Sequence, residues 1–170
     1  LVLGVTTTSF AIINLTPLNA DSTSNINGGN DLALLPGGFN LAYKVGASGS
    51  ESGPFAGVYD ATLTSDLSGF TISFTGLAGQ QIPCPDCTLV VKDGRHTPAR
   101  YFYNLDSWDG TEQIVGSGFW PAGGSISHVG IYSNDESVPP AAIPEPGTIL
   151  LLGSGLAGLG IWRWKTAKKA

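Results

Sequence analysis

The chain has 170 residues with a formal net charge of -5, 24 glycines, two cysteines, no methionine and only 12% charged residues. That is one domain's worth of chain once terminal segments are set aside, and its Thr, Ser, Asn and Gly between short apolar runs suit turns and strands better than helices. All 13 acidic residues precede Gly147, whereas Arg163, Lys165, Lys168 and Lys169 follow it and only Lys44, Lys92, Arg95 and Arg100 share the body with the acids; so acidic a body is repelled by phosphate backbones, which excludes nucleic acid as a partner.

In chain order, residues 1–20 come first. Leu1 to Ile13 is mostly apolar with a Thr6-Thr7-Thr8-Ser9 interruption, and Leu15-Thr16-Pro17 and smaller residues lead to Ala20 ahead of polar Asp21-Ser22. The pattern predicts a secretory signal peptide without its basic n-region, in a chain whose start, lacking Met, is truncated or processed. Leu18 is large for the −3 position of a cleavage site after Ala20, and the competing reading is an N-terminal strand. Residues 21–38, rich in Asn, Ser, Gly and Thr, are expected to be a flexible lead-in without chemistry.

Residues 39–134 carry the strand pattern. Candidates are Asn40 to Val45, Phe55 to Leu63, Gly69 to Thr75, Thr88 to Lys92, Ala99 to Leu105, Gln113 to Ser117 and Ser125 to Tyr132. Phe70, Ile72 and Phe74 alternate with Thr71, Ser73 and Thr75, the period of a strand with one buried face. Asp93-Gly94 before Pro98, and Trp108-Asp109-Gly110, supply turn chemistry. No amphipathic helix of 10 to 15 residues separates the runs, so the fold class predicted is all-β: an antiparallel β-sandwich or jelly-roll-like ectodomain.

Several residue sets invite a chemical reading. Cys84-Pro85-Asp86-Cys87 is a C-x-x-C; outside the cytoplasm it closes a small disulfide, and the β-like Thr88-Leu89-Val90-Val91 after it disfavours a thioredoxin-type role. His96 and His128 are too irregularly spaced from the cysteines for a zinc finger, and no metal or cofactor is implied. A Ser-His-Asp set from Ser125 or Ser127, a histidine and Asp93, Asp106 or Asp109 lacks a G-x-S-x-G elbow. Asp106 with Asp109, or Asp93 with Glu112, are nominal carboxylate pairs for a glycosidase or for calcium, each beside turn-forming residues. Trp108 and Trp120, with Tyr101, Tyr103 and Tyr132, are candidates for stacking on sugar rings, against the alternative of core packing. No catalytic residue is assigned.

The C-terminal segments are the most distinctive. Residues 135–146 form a Pro-rich linker ending in Pro144-Glu145-Pro146, whose prolines fix φ and keep the triplet extended and accessible. Residues 147–164 follow without a charge until Arg163; 16 to 18 apolar residues span about 24 to 27 Å as a helix, which predicts a single transmembrane helix. Its glycines, Gly147, Gly155 and Gly158 among them, are poor helix material in water and better tolerated in a bilayer; Leu151 belongs to the expected span, and Trp162 and Trp164 sit at the interface. Arg163, Lys165, Lys168 and Lys169 hold the tail, residues 165–170, in the cytoplasm and face the acidic domain outward.

A Pro-Glu-Pro triplet, an apolar helix and a terminal Arg/Lys cluster in this order resemble the sorting signal of PEP-CTERM proteins. The resemblance implies that Pro144, Glu145 and Pro146 are the motif recognised by exosortase, a membrane transpeptidase, in a Gram-negative bacterium that makes extracellular polysaccharide. The stretch from Leu89 to Tyr132, with Pro98-Ala99-Arg100-Tyr101, Trp108-Asp109-Gly110 and Gly118-Phe119-Trp120-Pro121, also resembles a recurrent ectodomain of that family, which brings no assigned reaction with it.

The expectation is therefore a non-enzymatic, exported surface or matrix protein. It passes through the inner membrane with its domain in the periplasm and ends at the cell surface or outside. Exosortase, membrane lipid and exopolysaccharide or other surface proteins are its partners. The alternatives are a carbohydrate-binding or carbohydrate-active jelly roll, and a single-pass subunit of a membrane complex whose small-residue helix face packs on neighbouring helices.

Overall fold

The structure is a computed structural model that describes residues 11–93 and 95–139. Ten strands occur in chain order: β1 (Ile12–Leu15), β2 (Ser22–Ser24), β3 (Asn40–Gly46), β4 (Glu51–Ser52), β5 (Tyr59–Leu63), β6 (Phe70–Phe74), β7 (Cys87–Lys92), β8 (Arg100–Asn104), β9 (Gln113–Gly116) and β10 (His128–Ser133). Short 3₁₀ turns occupy Pro17–Asn19 and Asp31–Leu34. A four-stranded sheet in the order β1-β9-β6-β5 and a six-stranded sheet in the order β2-β8-β7-β10-β3-β4 make an all-β, sandwich-like fold. Every pair is antiparallel except β1 with β9, which is parallel.

The core lies between the sheets. Phe70 and Ile72 of β6 and Ile114 of β9 meet Leu89 and Val91 of β7, Tyr101 and Tyr103 of β8, and Val129 and Ile131 of β10. Gly116 stands opposite Phe70 in the register, and a Cβ there would fall 2.0 Å from the Phe70 ring, so only glycine leaves that ring its place. Tyr59 reaches across the core to donate its hydroxyl to the Gly110 carbonyl at 2.8 Å and to accept from the Ile82 amide at 2.9 Å. Burial pushes this phenol up to about 12.

All seven strands expected from periodicity are present, with the second shortened to Tyr59–Leu63 because Gly53 and Gly57 take positive φ in the turn before it. The structure departs from the sequence reading at both ends of the domain. Residues 21–38 are not a loose lead-in, and the competing reading of an N-terminal strand is met at Ile12–Leu15. Ile12–Leu15 lies along β9 with Leu15 buried, Ser22–Ser24 extends the other sheet, and 30–39 packs over that sheet's outer face. The physical reason is non-local: short, largely polar segments gain their order from edge pairing and from a few apolar anchors. The rest of the expected leader, residues 1–10, lies outside the described residues. At the other boundary, Val138 is fully buried, so the fold runs past 134 into the expected linker.

The cover explains an otherwise odd sequence feature. Leu89, Val90 and Val91 are consecutive and all buried, which one wet face forbids. Leu89 and Val91 face the core, while Val90, Phe102 and Tyr132 form a second apolar cluster on the outer face beneath Leu32, Leu34, Leu35, Phe39 and Leu41.

Candidate functional site

The polar centre of the fold is on this covered face. Arg100, in β8, is completely buried, a position a guanidinium holds only with full pairing. Its Nε donates to Oδ1 of Asp31 at 2.7 Å, Nη1 donates to the Ile26 carbonyl and Nη2 to the Gly29 carbonyl at 3.1 Å. Asp31 is 3% exposed; its Oδ2 accepts from the Tyr132 hydroxyl at 2.8 Å and contacts Nε2 of His128 at 2.6 Å.

Burial would raise the Asp31 pKa, but hydrogen bonds from His128, Arg100 and Tyr132 and the charge of His128 outweigh it and hold the carboxyl well below the usual carboxylate range. Because that carboxylate only accepts, Nε2 of His128 must carry the shared proton. Burial, and then the same carboxylate, pushes the Tyr132 phenol up.

Local structure places each member. Asn30 caps the 3₁₀ turn by accepting from the Leu32 amide, which presents Asp31 to the sheet. Gly130, between His128 and Tyr132 on β10, leaves room for the Tyr132 ring to lie flat; a Cβ there would stand 2.9 Å from its Cε2. A cleft of about 330 Å³ opens beside the cluster, lined by Gly29, Asn30, Asp31, Lys44, His128 and Tyr132 among others.

Of the residues singled out from sequence, His128 and Tyr132 belong to this cluster and the others fall elsewhere. Cys84 and Cys87 are joined, with Cα atoms 5.1 Å apart, at the start of β7. Trp108 and Trp120, candidates for sugar stacking, are 2% and 7% exposed. Their indole N–H groups donate to the Glu112 and Pro98 carbonyls, and their rings pack on Tyr59 and on Tyr101 and Phe119. Rings so enclosed offer no face to a sugar. A cleft of about 480 Å³ passes the edge of Trp108, and the carboxylate on its wall, Asp109, is engaged by Thr111 and Glu112.

One of the nominal catalytic sets is brought together, Asp93 with His96 and Ser125, but Ser125 joins it through its backbone amide rather than its hydroxyl. Asp93 accepts from the backbone amides of Arg95 and Ser125 and contacts Nδ1 of His96 at 2.8 Å, an arrangement that closes the β7–β8 turn. Ser127 donates its hydroxyl to the Lys92 carbonyl, and His128 faces Asp31 rather than the three aspartates considered from sequence. Asp106 is bonded to Asn104. Among the described residues no group of three or more His, Cys, Asp and Glu is placed to hold a metal ion.

Sequence reading missed the Asp31 cluster, yet Arg100 carried a signal: a lone cation between Ala99 and Tyr101 in an apolar strand requires a buried partner. The chemistry of the C-terminal segments is not placed by the fold. Pro144, Glu145 and Pro146, and Gly147, Leu151, Gly155, Gly158, Trp162, Arg163, Lys165, Lys168 and Lys169 of the expected membrane segment and tail, lie outside the described residues. Among the described residues no helix is long and apolar enough to cross a membrane.

Comparison with known proteins locates one match. The family model of the PEP-CTERM protein-sorting motif matches residues 142–164. No curated protein and no solved structure matches the chain.

Proposed function

From a chain that carries a PEP-CTERM protein-sorting motif, we propose an exported surface protein that exosortase sorts through its C-terminal segment, and whose acidic β-domain works by binding rather than by catalysis. The observation that carries this reading is the motif match at residues 142–164, which spans Pro144-Glu145-Pro146, the apolar run and the first cation, Arg163. The apolar run 147–164 acts as a membrane-spanning stop-transfer helix, and the Arg/Lys cluster after it stays cytoplasmic. The domain then faces the periplasm until processing delivers it to the surface, where it associates with exopolysaccharide.

The binding role draws support from how the polar side chains are spent. Asp93, Asp106 and Asp109 serve turns, and Asp31 and His128 tether the cover to the sheet. The disulfide between Cys84 and Cys87 suits an oxidising compartment.

The test is the intact mass of the protein from its native host beside a host lacking exosortase. Loss of the segment after Pro146 only where exosortase is present is the expected result. An intact tail in both hosts would overturn sorting and leave a permanent membrane protein.

A further inference from the structure

Cations are scarce in this domain and are not scattered. In the register, Arg100 of β8 stands opposite Lys92 of β7, and Lys92 opposite His128 of β10. Lys44 of β3 stands opposite Gly130, two residues along β10 from His128. Directly opposed residues share a face, and so do residues two apart. Lys44, Lys92, Arg100 and His128 therefore all project from the outer face of the six-stranded sheet, although the body around them is acidic.

On this face the cleft beside the Asp31 cluster has a mixed wall. Lys44 stands at its rim and forms no ion pair among the described residues. Asp31 is saturated by Arg100, His128 and Tyr132. Asn30 has its side-chain oxygen on the Leu32 amide, which leaves its NH₂ for a ligand. Leu32 and Leu41 add apolar surface. At about 330 Å³ the cleft lies at the lower end of the range of small-ligand sites.

We infer that this cleft binds a carboxylate-bearing sugar of an acidic polysaccharide, with Lys44 pairing the carboxylate, Asn30 donating to ring hydroxyls, and Leu32 and Leu41 against the C–H face of the ring. The inference rests on the surface-polysaccharide reading above and narrows it to one ligand class and one site. A sugar is favoured over an acidic peptide because β10 is paired on both sides and β3 is paired on both sides at Lys44, so no free ladder edge is available to an extended chain beside Lys44. Recognition must come from side chains.

The experiment measures binding of the full chain to polygalacturonate, to neutral dextran and to polyglutamate at about 0.15 M salt. The variants are Lys44→Gln and, as a control in the β7–β8 turn outside the cleft, Arg95→Gln, with thermal unfolding run beside each. The expected result is binding to polygalacturonate in preference to the other two polymers, weakened about tenfold or more by Lys44→Gln and unchanged by Arg95→Gln. Equal losses in both variants would mean diffuse charge attraction and overturn the site. Polyglutamate binding as tight as polygalacturonate binding would transfer the face to an acidic peptide. Binding to dextran without binding to polygalacturonate would sink this site and spare the polysaccharide reading, whereas binding to none of the polymers would sink both.

Discussion

Arg100 and Asp31, 69 positions apart, meet at 2.7 Å with the guanidinium fully buried and the carboxylate nearly so. Through this contact a segment that sequence marks as loose becomes a cover on the six-stranded sheet. Four carbonyl or carboxylate partners on that segment, at Ile26, Gly28, Gly29 and Asp31, satisfy the guanidinium.

Removing one partner should cost far more than removing both. Asp31→Ala leaves a buried cation unpaired and is expected to destabilise the protein by about 3–5 kcal/mol, a large share of the ~5–15 kcal/mol of a typical domain. The double variant Asp31→Ala with Arg100→Met should lose less than the sum of Asp31→Ala and Arg100→Met alone. Urea unfolding of the four proteins checks this, and additive losses would contradict the pairing.

Acid should unfold the protein through Asp31. An unfolded aspartate titrates near 3.8, whereas the folded carboxyl is held well below that. As pH falls below about 4 the unfolded state takes up the proton first, so stability present above that pH is progressively lost toward the folded value. Carboxyl NMR should show Asp31 still ionised at about pH 3; a titration midpoint at the ordinary aspartate value would refute the account.

The disulfide closes a very short loop ahead of β7. Chain entropy assigns so small a loop about 2 kcal/mol, so Cys84→Ser with Cys87→Ser should lower stability by roughly that amount and leave the fold intact. Near-UV circular dichroism and denaturant midpoints measure both quantities. A loss of all tertiary signal would show that the bridge does more than constrain the unfolded chain.

The mature N-terminus should lie before Ile12. Cleavage after Ala20 would remove β1, its parallel pairing with β9 and the buried Leu15. N-terminal sequencing of the protein from its host is expected to find residues 12–20 retained; a start at Asp21 would mean that the four-stranded sheet completes itself without its edge.

Much of the fold was legible in advance because sheet periodicity is local. Phe70, Ile72 and Phe74 announce β6, and Tyr101, Phe102 and Tyr103 announce β8, by which side chains alternate. β1 was legible only as the alternative to a leader, and β2 not at all: one is four residues, the other is Ser22-Thr23-Ser24, and each exists only as a partner to a distant strand. Trp108 and Trp120 had two readings in sequence, sugar platform and core, and burial decided for the core.

The sequence by itself determined the all-β class, the turn chemistry around Asp93 and Asp109, and the sorting motif at Pro144-Glu145-Pro146, since each depends on neighbours within a few positions. Only the tertiary structure decided that Asp31 is a buried ion-pair partner, that residues 30–39 roof a sheet, and that Lys44 and His128 border one cleft. These relations join residues tens of positions apart, and no local pattern encodes which strand will lie beside which.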